Sequence, residues 1–460
     1  MRSDPKSRGV CGLALRGIHA KRHDASGYTL YLVLLVLAVA GTLFTISLTS
    51  AARVRTLAAG HLQRAQARLL AQSGLERTEY FLNGGDGHDL YWETEAFSEP
   101  VPAFGEINIQ CFRHGVFSRV ISTGIRLRKK YQLKGLLGRD LPPSLKPLLT
   151  ISGHSGGLRL MGSSRIDGTV VLHHGSVVRG ARRTPVRGYR NWTTYSESPA
   201  LPFDITPLSD FMERCRERIA TALADDTAIR GNLSIGTESD SLLREPRLVI
   251  LGDCLITGGT MADMTIIASG TITLTEKASC FGSMFLSERI TVTKGTTERC
   301  VFYADTVMAI VGGKHASQFF CGDSIKVGRG AEFRPISIWV SRRRVAGSTS
   351  GGGVFFSEKA NVAGHVICYS ETDTNSQGVA GGASIAIGKG SRVEGCLITD
   401  GDIDLQEAHV RGHIWARSIV TFHHRSTHIN TLFDCVLERP YEELVFPLLG
   451  KPPAQVTLMR

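Results

Sequence analysis

The sequence predicts a mainly β fold, a parallel β-helix with about 17 or 18 residues per turn, preceded by a long N-terminal α-helix and a small α+β region. Three observations predict it. An uncharged apolar stretch runs from Tyr28 to Ala52 and continues as a proline-free segment of good helix formers to Leu82. The chain holds 50 glycines with only 7% aromatic and 21% charged residues, a composition that suits turns and short strands better than a helical bundle. Short apolar-x-apolar strands recur at a near-constant spacing in the second half of the chain.

Residues 1–27 form a basic leader, open to cleavage, in which Arg16, Lys21 and Arg22 precede the apolar stretch. Residues 28–52 read as a transmembrane helix. At about 1.5 Å per residue, 25 residues exceed the roughly 30 Å of a bilayer hydrocarbon core. Near-continuous apolarity on every face argues against a buried soluble helix. A secretory signal would end at a small-x-small site before an obvious mature start, whereas this segment continues as helix. Flanking charge does not decide orientation, because Arg53, Arg55, Arg64 and Arg68 follow the stretch. Residues 53–85 continue the helix as an amphipathic half, with Leu62, Ala65, Leu69 and Tyr80 along one side, and Asn83-Gly84-Gly85 stops it.

At this point the chain resembles a known family. Ser26-Gly27-Tyr28-Thr29-Leu30 resembles a prepilin cleavage region, and Arg64 to Leu82 is similar to the helix of minor type IV pilins and the larger type II secretion pseudopilins. The resemblance extends from the leader to about Gly85. It implies cleavage after Gly27 by a prepilin peptidase, methylation of the new N-terminus at Tyr28, and packing with other pilin or pseudopilin subunits. Major pilins carry Glu at the fifth mature position, and here that position is Leu32. An unpaired charge in an apolar bundle needs a partner. Its absence resembles the tip pseudopilin and implies a minor component.

Residues 86–147 read as a small strand region. Glu106 to Leu137 alternates apolar and polar residues, with Gly115 and Gly124 as turns, and two to four antiparallel strands should pack on the amphipathic half-helix. Pro142-Pro143 and Pro147 mark a boundary. Residues 148–180 are assigned to the first rungs. Residues 181–243 are an insertion with one helix from about Pro207 to Ala224, capped by Thr206. The main β-helix occupies 244–436, interrupted by Gly/Ser-rich loops at Arg342 to Gly353 and Thr372 to Gly382, and 437–460 is a C-terminal tail.

The repeat carries the fold assignment. Strands begin at Ile272, Ile290, Val307 and Ile325, and a second series begins at Ile385, Ile403 and Ile419. Within each series successive starts lie roughly 16 to 18 residues apart. A unit this short cannot close a core alone, whereas stacked units pair each backbone with the rung above and below. The leucine-rich-repeat pattern is absent. An antiparallel sandwich stays as the alternative, since its turn spacing of roughly 8 to 12 residues fits half-units.

No Walker motif, nucleophile elbow, kinase set or dinucleotide fingerprint is found, and Gly382 to Gly390 fails the phosphate-loop pattern. Asp400, Asp402 and Asp404 place three carboxylates together, as sites for calcium or acid/base work do, but a solvated turn entering a strand is the simpler reading. His409, His413, His423, His424 and His428, with His173 and His174, lack a metal-ligand pattern, although His409 and His413 would share a strand face. Ten cysteines occur without a C-x-x-C pair, and Cys280, Cys300, Cys321 and Cys396 read as small buried hydrophobes. No catalytic residue, metal or cofactor is assigned.

The formal charge of +11 is concentrated in the leader, in Arg126 to Lys134, in Arg182 to Arg190 and in Arg342 to Arg344. No nucleic-acid fold signature accompanies these runs, so specific nucleic-acid binding is not expected. The expectation is a non-enzymatic component of a pilus or secretion system, in the inner membrane by a single span, with its C-terminal domain periplasmic or extracellular. A tethered module binding anionic polysaccharide is the alternative, and a β-helix carbohydrate-active enzyme ranks third.

Overall fold

The computed structural model describes residues 25–83, 95–101, 104–139, 141–153, 157–173, 175–179, 191–194, 203, 205–224, 227–236, 246–334, 337–343, 352–370, 384–423, 426–440, 446–447 and 456–459. Within them the chain is mainly β, with one long N-terminal helix and one large parallel sheet.

Helix α1 (Ala25–Asn83) runs unbroken for 59 residues, about 90 Å at 1.5 Å per residue. It starts upstream of Tyr28 and stops at Asn83, where the Gly-Gly sequence begins. Its segment from Tyr28 onward is long and apolar enough to cross a membrane, and the chain itself buries none of the most apolar window. Hydroxyls there are satisfied inside the helix: Thr45 donates to the Gly41 carbonyl at 2.8 Å and Thr49 to the Thr45 carbonyl at 2.9 Å.

The second half of α1 packs on a four-stranded antiparallel meander, β1 (Glu95–Val101), β2 (Gly105–His114), β3 (Phe117–Arg126) and β4 (Lys129–Arg139). The chain's last strand, Val456–Met459, adds to β4 as a fifth member, so the segment read as a tail closes back on the N-terminal region. The buried side of α1 is opposite to the expected one. Leu62, Leu69 and Tyr80 are 60%, 63% and 75% exposed, whereas Ala67, Leu70, Ala71, Leu75 and Thr78 are buried. Small residues win this face because they let the backbones approach. A Cβ on Gly124 of β3 would strike the Ala67 carbonyl, and one on Gly74 would strike Ser122 Oγ. Ile107, Ile109, Cys111, Val120 and Leu137 complete the core.

From Ile229 to Ala416 the strands pair in parallel, each with the segment one repeat ahead, and Ser418–His423 adds an antiparallel pairing with Ser426–Ile429. Cys254 faces Ile272, Ile272 faces Ile290, Ile290 faces Met308 and Met308 faces Ile325. Ile325 faces Val354, Val354 faces Ile385, Ile385 faces Ile403 and Ile403 faces Ile419. These are one inward column, buried throughout. The two series of strand starts therefore belong to one column, except that Met308 and not Val307 points inward, and the two wider steps span the Gly/Ser-rich segments. Alternation along Asp402–Leu405 puts Ile403 and Leu405 inside and both aspartates outside.

A second column is apolar on its outer face as well: Val249, Ile267, Leu286 and Tyr303 align, as do Phe320, Val340, Ile367, Ile398 and Trp415. Both faces of this sheet are buried, which is why Cys300 to Ala304 and Cys396 to Ile398 read as continuous apolar runs. Helix α2 (Thr206–Leu223) covers part of it through Leu208, Phe211, Met212 and Cys215. The N-cap residue of α2 is Ile205, without a side-chain cap bond, so Thr206 is the first helical residue and not the cap.

Among the strands of the stack, those of 149–179 come early in the chain yet pair at the end that the chain reaches late, beside Ile414–Ala416. Leu149–Ile151 pairs in parallel with Ile414–Ala416 on one side and with Val170–Leu172 on the other. Thr169–Leu172 pairs in turn with Asn191–Thr194. The stack then restarts at Ile229–Arg230, which pairs with Ile250 and Leu251. The 18 residues of α2, about 27 Å, lie between these two ends in the chain.

Candidate functional site

Gly27 and Tyr28 lie inside the first turns of α1, and Tyr28 is 72% exposed, on a helical surface that the rest of the chain does not cover.

The acidic turn is built into the stack. Asp402 accepts from Arg417 Nη2 at 3.2 Å on both carboxylate oxygens and from Ser418 Oγ at 2.7 Å. Ser418 is its register partner on the next rung. Asp404 is half-buried and accepts from Gln406 Nε2 at 3.0 Å. Burial raises its carboxyl above the ordinary value, opposed by the Gln406 hydrogen bond. Asp400 has its Oδ1 buried beside Gly401. Asp402 thus ties two rungs together.

The histidines do not converge. His409 contacts Glu438 at 3.1 Å, whereas His413 Nδ1 donates to the Pro147 carbonyl at 3.0 Å. Gly412, at φ +155°, turns the chain between them, so the face expected to hold both is split across a corner. His428 stacks edge-on against Phe433, and His173 is buried. His424 and His174 fall outside the described residues. No group of three metal-ligating side chains gathers among the described residues.

The nine cysteines in the described residues are free and buried. Desolvation pushes the Cys254, Cys300 and Cys321 thiols up to about 12, which makes them packing groups and not nucleophiles. Of the basic runs, Arg126 to Lys134 spans an exposed turn between β3 and β4, Arg182 to Arg190 lies outside the described residues, and Arg342 and Arg343 end a strand.

Sequence reading missed the junction between the helix-bearing meander and the stack. The β2–β3 hairpin, with Lys134 of β4 beside it, reaches the rungs through several polar contacts. Gln318 receives the Val116 amide on Oε1 at 3.0 Å and returns Nε2–H to the His114 carbonyl at 2.9 Å. His114 Nε2–H donates to the Arg299 carbonyl at 2.7 Å. Arg119 reaches Asp263 at 2.8 Å, and Lys134 approaches the same carboxylate at 3.9 Å. Val116 and Phe117 join the apolar face that α2 also covers. His114-Gly115-Val116 carries the only sequence signal, a turn with a histidine at its edge, and nothing in it names Gln318 or Asp263 as partner. The junction ties the helix-bearing meander to the stack. No protein-family model, curated protein or solved structure matches the chain.

Proposed function

We propose that the protein is a single-pass component of the inner membrane that presents a parallel β-helix outside the cytoplasm, and that it acts without enzymatic chemistry as a minor pilin-like or pseudopilin-like subunit of a type IV pilus or type II secretion-like system. One observation carries the reading: α1 passes without a break from a bare apolar segment into a half that is seated on an antiparallel sheet. Such a helix transmits position from a bilayer, or from a bundle of like helices, to a rigid folded domain. The β-helix is supported by the inward column of branched and sulfur-bearing residues and by the near-constant register step from each strand to the next. The structural engagement of Asp402 and Asp404 supports a scaffold role over acid/base chemistry.

The test is mass analysis of the N-terminus of the membrane-associated protein. A mature chain beginning at methylated Tyr28, and its loss in Gly27→Ala, is the expected result. A leader that stays intact in a host with an active prepilin peptidase sinks the pilin reading and leaves a tethered scaffold.

A further inference from the structure

A cleft of about 580 Å³ opens between α2 and the start of the stack. One wall is a single face of α2, where Arg214 and Arg218 stand one helical turn apart. The other is a column of rung starts, Arg247, Thr265 and Met284, in register with one another. Ile267 and Phe211 form an apolar floor, and Gly115 of the hairpin tip sits at its edge. Arg218 Nη1 lies 3.5 Å from Met284 Sδ, and none of the three guanidiniums has a carboxylate within ion-pair distance among the described residues. Glu217 is the one acidic residue in the lining. Three guanidiniums without a carboxylate partner among the described residues thus rim an apolar floor, whereas Arg216, Arg329 and Arg417 elsewhere on this chain each find an acid.

We propose that this cleft docks an acidic peptide segment of a partner protein, its carboxylates on Arg214, Arg218 and Arg247 and an apolar side chain against the half-buried Met284. Arginine's planar fork matches carboxylates bidentately, and the apolar floor supplies the desolvated centre that a charged rim alone lacks. A polysaccharide fits less well. The one aromatic ring in the lining, Phe211, is buried and tilted against Phe320 at 4.7 Å, so it offers no open face to a sugar. A second copy of this chain is disfavoured by its net charge of +11. This inference stands on the cleft and does not depend on the pilin reading.

The test uses the full chain in detergent micelles with a fluorescent, terminally blocked peptide alternating Asp and Leu. The Asn–Leu counterpart and polygalacturonate serve as competing probes. Binding is expected to weaken about tenfold or more in the triple variant Arg214→Gln, Arg218→Gln, Arg247→Gln. It should change less than about threefold when the same charge is removed from the β3–β4 turn by Arg128→Gln, Lys129→Gln and Lys130→Gln. Should the cleft triple variant not fold, Arg247→Gln alone must weaken binding by about threefold or more. Equal loss in the cleft and turn variants overturns the proposal, as does equal binding of the Asn–Leu peptide. So does no binding of the acidic peptide below about 1 mM. Displacement of the peptide by polygalacturonate, with polygalacturonate binding lost in the cleft variants, assigns the cleft to a polysaccharide instead.

Discussion

Arg119 on β3 donates a 2.8 Å hydrogen bond to Asp263, a residue held at φ +55° in the turn between two rungs, and the arginine side chain is only 7% exposed while the aspartate is 49% exposed. The pair joins the helix-bearing meander to the stack. Asp263→Asn keeps the left-handed backbone that Asn tolerates and removes only the charge. The Coulomb part is discounted for the exposed carboxylate, but the buried guanidinium loses a charged acceptor, so a loss of about 1 to 2 kcal/mol is expected. Urea midpoints of the detergent-held protein check it. An unchanged midpoint would mean that the junction is carried by Gln318, His114 and the apolar contacts alone.

Gly412 lies over Gly395, which lies over Gly364, at one corner of the stack. A Cβ on Gly412 would strike the Gly395 carbonyl, and one on Gly395 the Gly364 carbonyl, with φ at +155° and +147°. Backbone cannot yield to a methyl group here without separating the rungs. Gly395→Ala is expected to cost about 3 kcal/mol or more. Gly390→Ala is the control. Its φ is +72°, but the nearest atom is Lys359 Cγ at 3.6 Å, so only the left-handed backbone penalty of about 1 to 2 kcal/mol applies. Comparable losses in the two variants would remove the steric account of the corner.

Period and burial were written in the sequence, but adjacency was not. The inward column from Ile272 to Ile325 and from Ile385 to Ile419 is legible because each rung supplies one apolar residue near the same phase, although at one rung it is Met308 and not the expected Val307. That these two series are one column is hidden by loops of unlike length. The place of Leu149–Ile151 beside Ile414–Ala416 is hidden too, because parallel pairing leaves no mark of which rung comes next. On α1, hydrophobicity pointed to Leu62, Leu69 and Tyr80, whereas the sheet selected Ala67, Ala71 and Gly74 for closeness. His409 and His413 were paired by strand alternation, which fails wherever a glycine turns a corner.

Asp402 and Asp404 should separate on substitution. Asp402→Ala strands Arg417 and Ser418, which reach across to it from the next rung, and a loss of about 1 kcal/mol is expected. Asp404 bears a carboxyl that burial holds above its ordinary value, and its Oδ1 has no partner, so Asp404→Asn should change stability by less than about 0.5 kcal/mol. Thermal unfolding of both variants under one condition measures the contrast. A large loss at Asp404, or a gain at Asp402, contradicts the structural roles given to them.

Acid should weaken the fold through two buried histidines. His114 sits at the junction and His315 inside the stack, where Thr297 Oγ1 lies 3.0 Å from Nδ1 and Nε2–H donates to the Gly312 carbonyl at 2.9 Å. With Nε2 carrying the proton, Nδ1 accepts from the threonine, so the ring is neutral. Burial lowers both histidines from 6.5 to about 4, opposed by the carbonyl each one serves. Unfolding returns them to about 6.5. Between those values the unfolded chain binds more protons than the folded one, so stability declines as pH falls from about 6.5 to about 4 and is flat with respect to these groups below that. Each histidine contributes up to about 3 kcal/mol to the decline. His315→Gln is expected to lower stability at neutral pH, because its two hydrogen bonds are remade imperfectly, and to reduce the slope of urea midpoint against pH between 6.5 and 4 by roughly half. The double variant with His114→Gln should leave only the slope of the carboxylates. A slope unchanged in both variants would show that neither ring is held neutral by its burial.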